Sequence, residues 1–323
     1  MTAPAPIVAA PLLAVDVADG AAAPVSSGPP LAAPEAEGAW RWLHFSLDDP
    51  GLAAWLGRAL PPPAAASLLQ AETRPRFERQ AGWSLLNLRG AAPGGGGGGE
   101  MAAARLCLRA EVAISVGRRP LRPLEALVAR AQAGSAPAGL DRFLVELVAG
   151  LVAEAEAALL SLEARADAAE LVDEDDPALA DEVAALRASA ARLKRYLAPQ
   201  RDALQRLAAE RDGLLGEAAR DDLEEFANTA TRLVEELDEV RERMAIEQDQ
   251  IAARRDQTLQ RHNHVLSVVA AIFLPLTFLS GLLGVNVEGI PYADHPSAFP
   301  VLVGICGAIG LALLAFFRWR RWL

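Results

Sequence analysis

The sequence predicts an α+β membrane protein with a cytoplasmic α/β domain, a long-helix stalk and a C-terminal two-helix transmembrane hairpin. Two uncharged runs, residues 265–287 and 298–317, carry the membrane part of this prediction. As helices they would be roughly 34 and 30 Å long, and the hydrocarbon core of a bilayer is about 30 Å thick. The stalk is predicted because neither Pro nor Gly occurs between residue 217 and Pro275, and both residues disfavour a helix interior.

Changes in composition divide the chain into consecutive segments. The N-terminal extension, residues 1–38, is rich in Ala and Pro, and residues 7–17 within it are a candidate edge strand. The remaining segments are, in order, the cytoplasmic α/β domain (39–135), the cytoplasmic helical domain (136–216), the stalk helix (217–264), the first transmembrane helix (265–287), the external loop (288–297), the second transmembrane helix (298–317) and a basic cytoplasmic tail (318–323).

The α/β domain alternates between strand and helix patterns. Period-two alternation of apolar residues predicts strands at residues 40–47, 82–90 and 105–117. Helices are predicted at residues 50–61, 64–71 and 120–132. The glycine run at residues 94–99 is predicted to be a flexible hairpin loop. It lacks the Lys-Ser/Thr pair that a phosphate-binding loop needs.

Prolines set the predicted helix starts in the helical domain. One helix is predicted at residues 141–171, a second from Pro177 to about residue 197, and a third from Pro199 to about residue 215. Proline is favoured in the first turn of a helix, where its missing N–H costs nothing. The domain is therefore expected to contain three separate helices.

The stalk helix carries an apolar seam whose members recur at steps of three and four residues, as in a coiled coil. The seam consists of Leu223, Phe226, Ala230, Leu233, Leu237, Val240 and Met244. Beyond it, the equivalent positions include Glu247 and Arg254. The helix would continue into the first span and reach about residue 283, a length of roughly 100 Å. Such a seam suits a bundle that packs tightly and then opens around water near the membrane.

Basic residues predict the orientation of the hairpin. Both outer flanks carry arginines, namely Arg254, Arg255, Arg261, Arg318, Arg320 and Arg321. The connecting loop has no Lys or Arg but contains Glu288 and Asp294. The positive-inside rule therefore places both termini in the cytoplasm and the loop outside. The predicted location is the inner cell membrane, crossed more than once.

Composition excludes several other classes of function. The net charge of −11 argues against a nucleic-acid partner. Cys107 and Cys306 are too far apart in sequence to indicate a disulfide framework or a zinc cluster. His262 and His264, two residues apart on a helix, lie on different faces and cannot chelate one ion within a single chain. We find no nucleophile–base constellation or nucleotide motif, so no enzyme and no cofactor other than a transported ion is expected.

A family resemblance rests on the end of the first span. Gly284, Val285 and Asn286 follow a very long helix and precede a second, C-terminal span. This arrangement resembles the CorA superfamily of divalent-cation transporters, whose signature is Gly-Met-Asn. Val in place of Met resembles the zinc-transporting ZntB branch, as do the segments at residues 72–76 (ETRPR), 199–204 (PQRDAL) and 274–279 (LPLTFL). The glycine run, the N-terminal extension and Glu288 depart from that branch.

The resemblance implies a homopentamer in the lipid bilayer, with five copies of the first span around a pore. Carried over by position, the pore-lining residues are Asn263, Leu266, Ala270, Leu274, Thr277 and Gly281. Gly284, Val285 and Asn286 would form the ion-selectivity loop, with the Asn286 amide holding the ion through its hydration shell. Glu288 and Asp294 would attract cations to the pore mouth.

Three functions remain open from the sequence. The first is transport of Zn²⁺, favoured by Val285, and the second is a Mg²⁺ or Co²⁺ channel of the CorA type. Physical chemistry does not choose between them, because a hydrated ion hides the preference of zinc for nitrogen and sulfur ligands. The third is a membrane-anchored coiled-coil scaffold or sensor without a pore, which leaves the Gly-Val-Asn loop unexplained.

Overall fold

The computed structural model describes residues 9–25, 31–71, 73–92, 101–172, 176–211, 213–285 and 295–320. The chain forms two compact units, Met1–Glu247 and Gln248–Leu323. One long helix, Glu217–Leu283, passes from the first unit into the second.

A seven-stranded mixed sheet is the centre of the first unit. Its strands are Leu13–Ala18 (β1), Ala21–Pro24 (β2), Trp40–Ser46 (β3), Arg76–Gln80 (β4), Trp83–Ala91 (β5), Met101–Arg109 (β6) and Val112–Gly117 (β7). Their order in the sheet is β2-β1-β3-β7-β6-β5-β4. The β3–β7 pair is parallel and the other pairs are antiparallel.

The N-terminal part of the sheet differs from the prediction. β1 lies between β2 and β3, so the expectation of an edge strand at residues 7–17 is wrong, and β2 is the edge. Asp19 and Gly20 have φ of 50° and 82°, which are the backbone angles of a tight two-residue hairpin turn. Asp16 of β1 also accepts a hydrogen bond of 2.6 Å from Nε of Arg41 in β3. The Ala- and Pro-rich extension therefore contributes two strands to the sheet.

Two further strands were not predicted as such. The run at residues 105–117 forms the end of β6 and all of β7, which are separated by a turn at Ala110, where φ is 28°. β4 has the sequence RFERQ, in which Phe77 is the only apolar side chain. Its weak pattern reflects its position at the sheet edge, where charged side chains protect against pairing with other chains.

Helices cover the sheet on both faces. Leu52–Ala59 (α1) and Pro62–Leu69 (α2) pack with Phe45, Leu85 and Ile114 in one core. On the other face Trp42 of β3 contacts Phe143, with ring centroids 4.8 Å apart. Burial of each such side chain contributes about 1.5–3 kcal/mol. The sheet therefore lies between two helical layers.

The α/β domain ends with the helix Arg122–Gln132 (α3), and the helical domain contains Leu140–Glu170 (α4) and Leu179–Ala208 (α5). The predicted break at Pro199 is wrong, because α5 continues through it. Leu197 and Leu204 are buried on either side of the proline. The side chain of Gln200 accepts a 2.8 Å hydrogen bond from the backbone N–H of Arg89 in β5. These contacts stabilise the helix on both sides of a residue that disfavours it.

The long helix is Glu217–Leu283 (α6), as predicted. In the first unit its seam is buried at Leu223, Ala230, Leu233, Leu237, Val240 and Met244. Three ion pairs connect it to α4, namely Arg142–Asp222, Arg232–Glu156 and Arg243–Asp167. The paired residue numbers increase in the same direction along both helices, so α4 and α6 run parallel.

The second unit contains the end of α6 and the helix Ala298–Trp319 (α7). Both helices are long and apolar enough to cross a membrane, judged by length and composition. Large apolar side chains such as Phe273, Phe278 and Leu311 are exposed in the single chain. This unit therefore presents apolar surface that needs lipid or protein around it.

Candidate ion pathway on helix α6

The predicted pore stripe forms one face of α6, since its members recur at helical spacing. It consists of Asn263, Leu266, Ala270, Leu274, Thr277 and Gly281. All of them are exposed in the single chain, and Leu266 and Leu274 are 67% and 70% accessible. Within the second unit, no neighbouring segment covers this face among the residues that the structure describes.

The opposite face of α6 is partly covered. Val268 is only 3% exposed, and Ile272, Leu276 and Leu279 are half-buried. A Cβ atom added at Gly310 of α7 would lie 3.8 Å from Cδ1 of Leu276. α7 thus packs against the side of α6 that faces away from the predicted stripe. The hairpin leaves the stripe available for another surface.

Two hydroxyl groups that flank the stripe bind to the helix backbone. Oγ of Ser267 donates to the carbonyl of Asn263 at 2.8 Å, and Oγ of Ser280 donates to the carbonyl of Thr277 at 3.1 Å. Such bonds satisfy a serine hydroxyl inside an apolar span. Both serine hydroxyls are thus satisfied within α6, and Thr277 is the hydroxyl side chain on the predicted stripe itself.

Pro275 adds a polar backbone group that the sequence analysis overlooked. Proline has no N–H, so the carbonyl of Ala271 loses its usual helical donor. α6 nevertheless continues to Leu283. Interior prolines in spanning helices are tolerated where neighbouring helices, side chains or water satisfy the freed carbonyl. The proline itself was the signal that would have identified this group.

The end of α6 is closed by Gly284. Its N–H donates to the carbonyls of Ser280 at 2.9 Å and Gly281 at 3.2 Å. A Cβ atom at position 284 would lie 2.9 Å from the Ser280 oxygen, so a larger residue would force the backbone to shift. A Cβ at Gly281 would meet nothing within 4 Å. Gly284 is thus required by the backbone of its own helix end, whereas Gly281 allows a neighbouring helix to approach closely.

The structure describes only part of the predicted ion-selectivity loop. Val285 is described and is about half exposed. Asn286, Glu288 and Asp294 lie outside the described residues. Within the described part of the chain, no group of three or more His, Cys, Asp or Glu side chains could hold a metal ion. The stripe itself offers amide, hydroxyl and apolar groups and no carboxylate.

A family model described as CorA-like Mg²⁺ transporter protein matches residues 37–321. The chain belongs to the CorA-like family. The predicted resemblance is therefore confirmed over almost the whole chain beyond the N-terminal extension. Because the family consists of transporters, the prediction that the chain is not an enzyme also agrees with this finding.

Named relatives of this CorA-like chain include two kinds of transporter. The divalent cation transporter CmaX of Pseudomonas aeruginosa is 34% identical over 290 residues, which is 87% of each chain. The zinc transport protein ZntB of Yersinia enterocolitica is 28% identical over 291 residues, covering 87% of this chain and 88% of that protein.

Solved structures agree with this assignment. Full-length CmaX superposes with a TM-score of 0.79 at 30% identity, covering 97% of this chain and 98% of CmaX. The CorA magnesium transporter of Methanocaldococcus jannaschii has a TM-score of 0.74 at 15% identity, covering 97% of this chain and 99% of that chain. The second comparison shows a shared fold. The CorA-like architecture thus extends over both units of the chain.

Proposed function

We propose that this chain is the subunit of a transporter that carries a divalent metal cation across the inner membrane, with Zn²⁺ as the preferred cargo. The observation that carries the proposal is the uncharged stripe on α6, which remains exposed while α7 packs on the opposite side of the helix. A stripe of this kind is a surface for lining a pore between identical chains. CorA-like family membership supports the same conclusion.

The assembly that fits this stripe is a homopentamer with both termini in the cytoplasm. Five first spans would place Thr277 and Gly281 around one axis. Leu266 and Leu274 would then form apolar constrictions, which gate pores by excluding water. Arginines on both flanks of the hairpin and acidic residues in its loop support the orientation.

The proposed mechanism keeps the ion hydrated. A small divalent cation gives up its water reluctantly, and the stripe offers no carboxylate to compensate. A ring of Asn286 amide oxygens would instead accept hydrogen bonds from the water shell. Glu288 and Asp294 would raise the cation concentration at the mouth. An inside-negative potential favours entry of a dication by roughly 4.6 kcal/mol per 100 mV.

Zinc is preferred over magnesium or cobalt because of the loop. Val285 stands where the CorA signature has Met, and ZntB proteins are among the relatives. The CmaX relative is named only as a divalent cation transporter. Magnesium or cobalt transport is therefore the alternative cargo. Proteoliposomes loaded with a metal-sensitive dye distinguish these cargoes, and a chain without a pore would give no flux for any of them.

The test of the mechanism is substitution of Asn286. Asn286→Ala is expected to reduce metal flux at least tenfold while the oligomer and its unfolding temperature remain unchanged. Asn286→Gly is the matched control, because Gly suits a helix C-terminal turn at least as well as Asn but has no amide side chain. If Asn286→Gly transports zinc like the unaltered chain, Asn286 only ends the helix and the filter assignment is wrong.

A further inference from the structure

Four arginines surround one cavity in the first unit. The cavity has a volume of about 250 Å³ and is lined by Arg89 of β5, Arg105 of β6, and Arg118 and Arg119, which follow β7. No Asp or Glu is found among the described residues that line it. This concentration of positive charge stands out in a chain whose net charge is −11.

Arg105 is the buried floor of the cavity, with an exposure of 3%. Its Nε donates to the carbonyl of Gln70 at 3.0 Å, and Nη2 donates to the carbonyl of Ala71 at 3.1 Å. These acceptors fix the guanidinium but do not neutralise it. Burial, and then the charges of Arg118 and Arg89, lower the pKa of Arg105. Burial and the two neighbouring arginines therefore disfavour the charged form of Arg105.

Arg89 supplies the second observation. Its Nε is buried and has no hydrogen-bond partner among the described residues. A buried donor without an acceptor costs about 1–3 kcal/mol, and more when it is charged. Arg118, at the rim, donates through Nε to Asp48 at 2.9 Å. The cavity thus combines an unsatisfied donor, a fixed buried guanidinium and a third arginine beside them.

We propose that this cavity binds an anion that carries a phosphoryl group, either inorganic phosphate or the terminal phosphates of a nucleotide. Guanidinium groups are planar forks that bind phosphate oxygens in pairs. A dianion would supply an acceptor for Arg89 and offset the repulsion among Arg89, Arg105 and Arg118. The volume is smaller than that of a typical site for a drug-sized ligand, which suits one or two phosphate groups. This site is separate from the predicted pore stripe and independent of the proposed transport.

Calorimetric titration of the full chain in detergent tests the site. Inorganic phosphate and ADP are each added without divalent metal and at constant ionic strength, which is maintained with sodium chloride. Arg89→Gln and Arg118→Gln are each expected to weaken phosphate binding at least about tenfold, since each loses charge-assisted hydrogen bonds. Arg165→Gln is the matched control, because Arg165 is also a partly exposed arginine of the first unit but pairs with Glu182.

The ligand source follows from the same titration. ADP binding more than about tenfold tighter than phosphate assigns the site to a nucleotide, and equal affinities assign it to the phosphate group alone. Phosphate affinity that is absent, or unchanged in both Arg89→Gln and Arg118→Gln, overturns the proposal.

A second measurement separates a binding site from a structural cluster. At low ionic strength without phosphate, Arg89→Gln is expected to unfold at the same or a higher temperature than the unaltered chain, because one repelling charge is removed. With phosphate the order is expected to reverse, since only the unaltered chain gains stability from the ligand. If Arg89→Gln is less stable without phosphate, Arg89 serves the fold and the proposal fails. Equal stabilisation by chloride at the same ionic strength also contradicts it.

Discussion

At the scale of single residues, His44 shows how the sheet holds a titratable group neutral. It lies in β3 and is buried, with Nδ1 2.8 Å from Oγ of Ser115. That oxygen also accepts a 2.8 Å hydrogen bond from Nε1 of Trp42. The Ser115 hydroxyl oxygen therefore contacts both the indole N–H of Trp42 and the imidazole of His44. Burial lowers the pKa of His44 to about 4.

This pKa predicts a pH dependence of stability. The unfolded chain binds a proton at His44 near its ordinary pKa of 6.5, whereas the folded chain does so only near 4. The contribution of His44 to the free energy of unfolding is therefore fully present above pH 6.5. It is lost as the pH falls towards 4, by up to about 3 kcal/mol. Urea unfolding followed by tryptophan fluorescence measures this loss. His44→Gln is expected to flatten the slope, and an unchanged slope would assign the loss to other groups.

Among secondary-structure elements, the first-unit part of α6 depends on its buried seam. Leu237 on α6 is fully buried, whereas Ile246 on the same helix is 53% exposed. Leu237→Ala is expected to lower the free energy of unfolding by about 2–5 kcal/mol, because it leaves a cavity. Ile246→Ala is the matched control and is expected to change stability by less than about 0.5 kcal/mol. Similar losses in the two variants would mean that the seam does not hold the helix.

For the whole molecule, the proposed topology can be tested with a single cysteine. Ala293→Cys in a Cys306→Ala background is expected to react with an impermeant thiol reagent from outside the cell. Cys107 does not compete, because it is buried and its pKa is raised by burial to about 12. The purified protein is expected to have the mass of a pentamer. Labelling only after membrane disruption, or a dimeric mass, would contradict the proposed assembly.

The acidic loop supplies a second test of the whole assembly. Changing Glu288 to Gln and Asp294 to Asn is expected to reduce transport more strongly at low than at high ionic strength. The reason is screening, since the Debye length is about 30 Å at 0.01 M and about 8 Å at 0.15 M. Glu224→Gln with Glu225→Gln removes the same charge from the exposed face of α6 and is expected to have no effect. An equal loss at both salt concentrations would indicate direct ligation.

Local features of the sequence determined much of the membrane part and of the long helix. The start of α6 and its length as far as Pro275 followed from the absence of Pro and Gly and from the apolar seam, which are properties of neighbouring residues. The positions of the predicted pore stripe followed from helical spacing and the family motif. Only the packing of α7 near Leu276 established which face of α6 remains uncovered.

Tertiary structure decided the features that depend on residues far apart in the chain. α5 continues through Pro199 because its flanking leucines are buried and Gln200 binds β5. β1 became an interior strand because β2 and β3 pair with its two edges. The arginine cavity combines side chains from residue 89 to residue 119 that sequence periodicity cannot bring together. Local hydropathy and helix propensity act over a few residues, whereas burial and like-charge repulsion arise only when the folded sheet brings distant residues into contact.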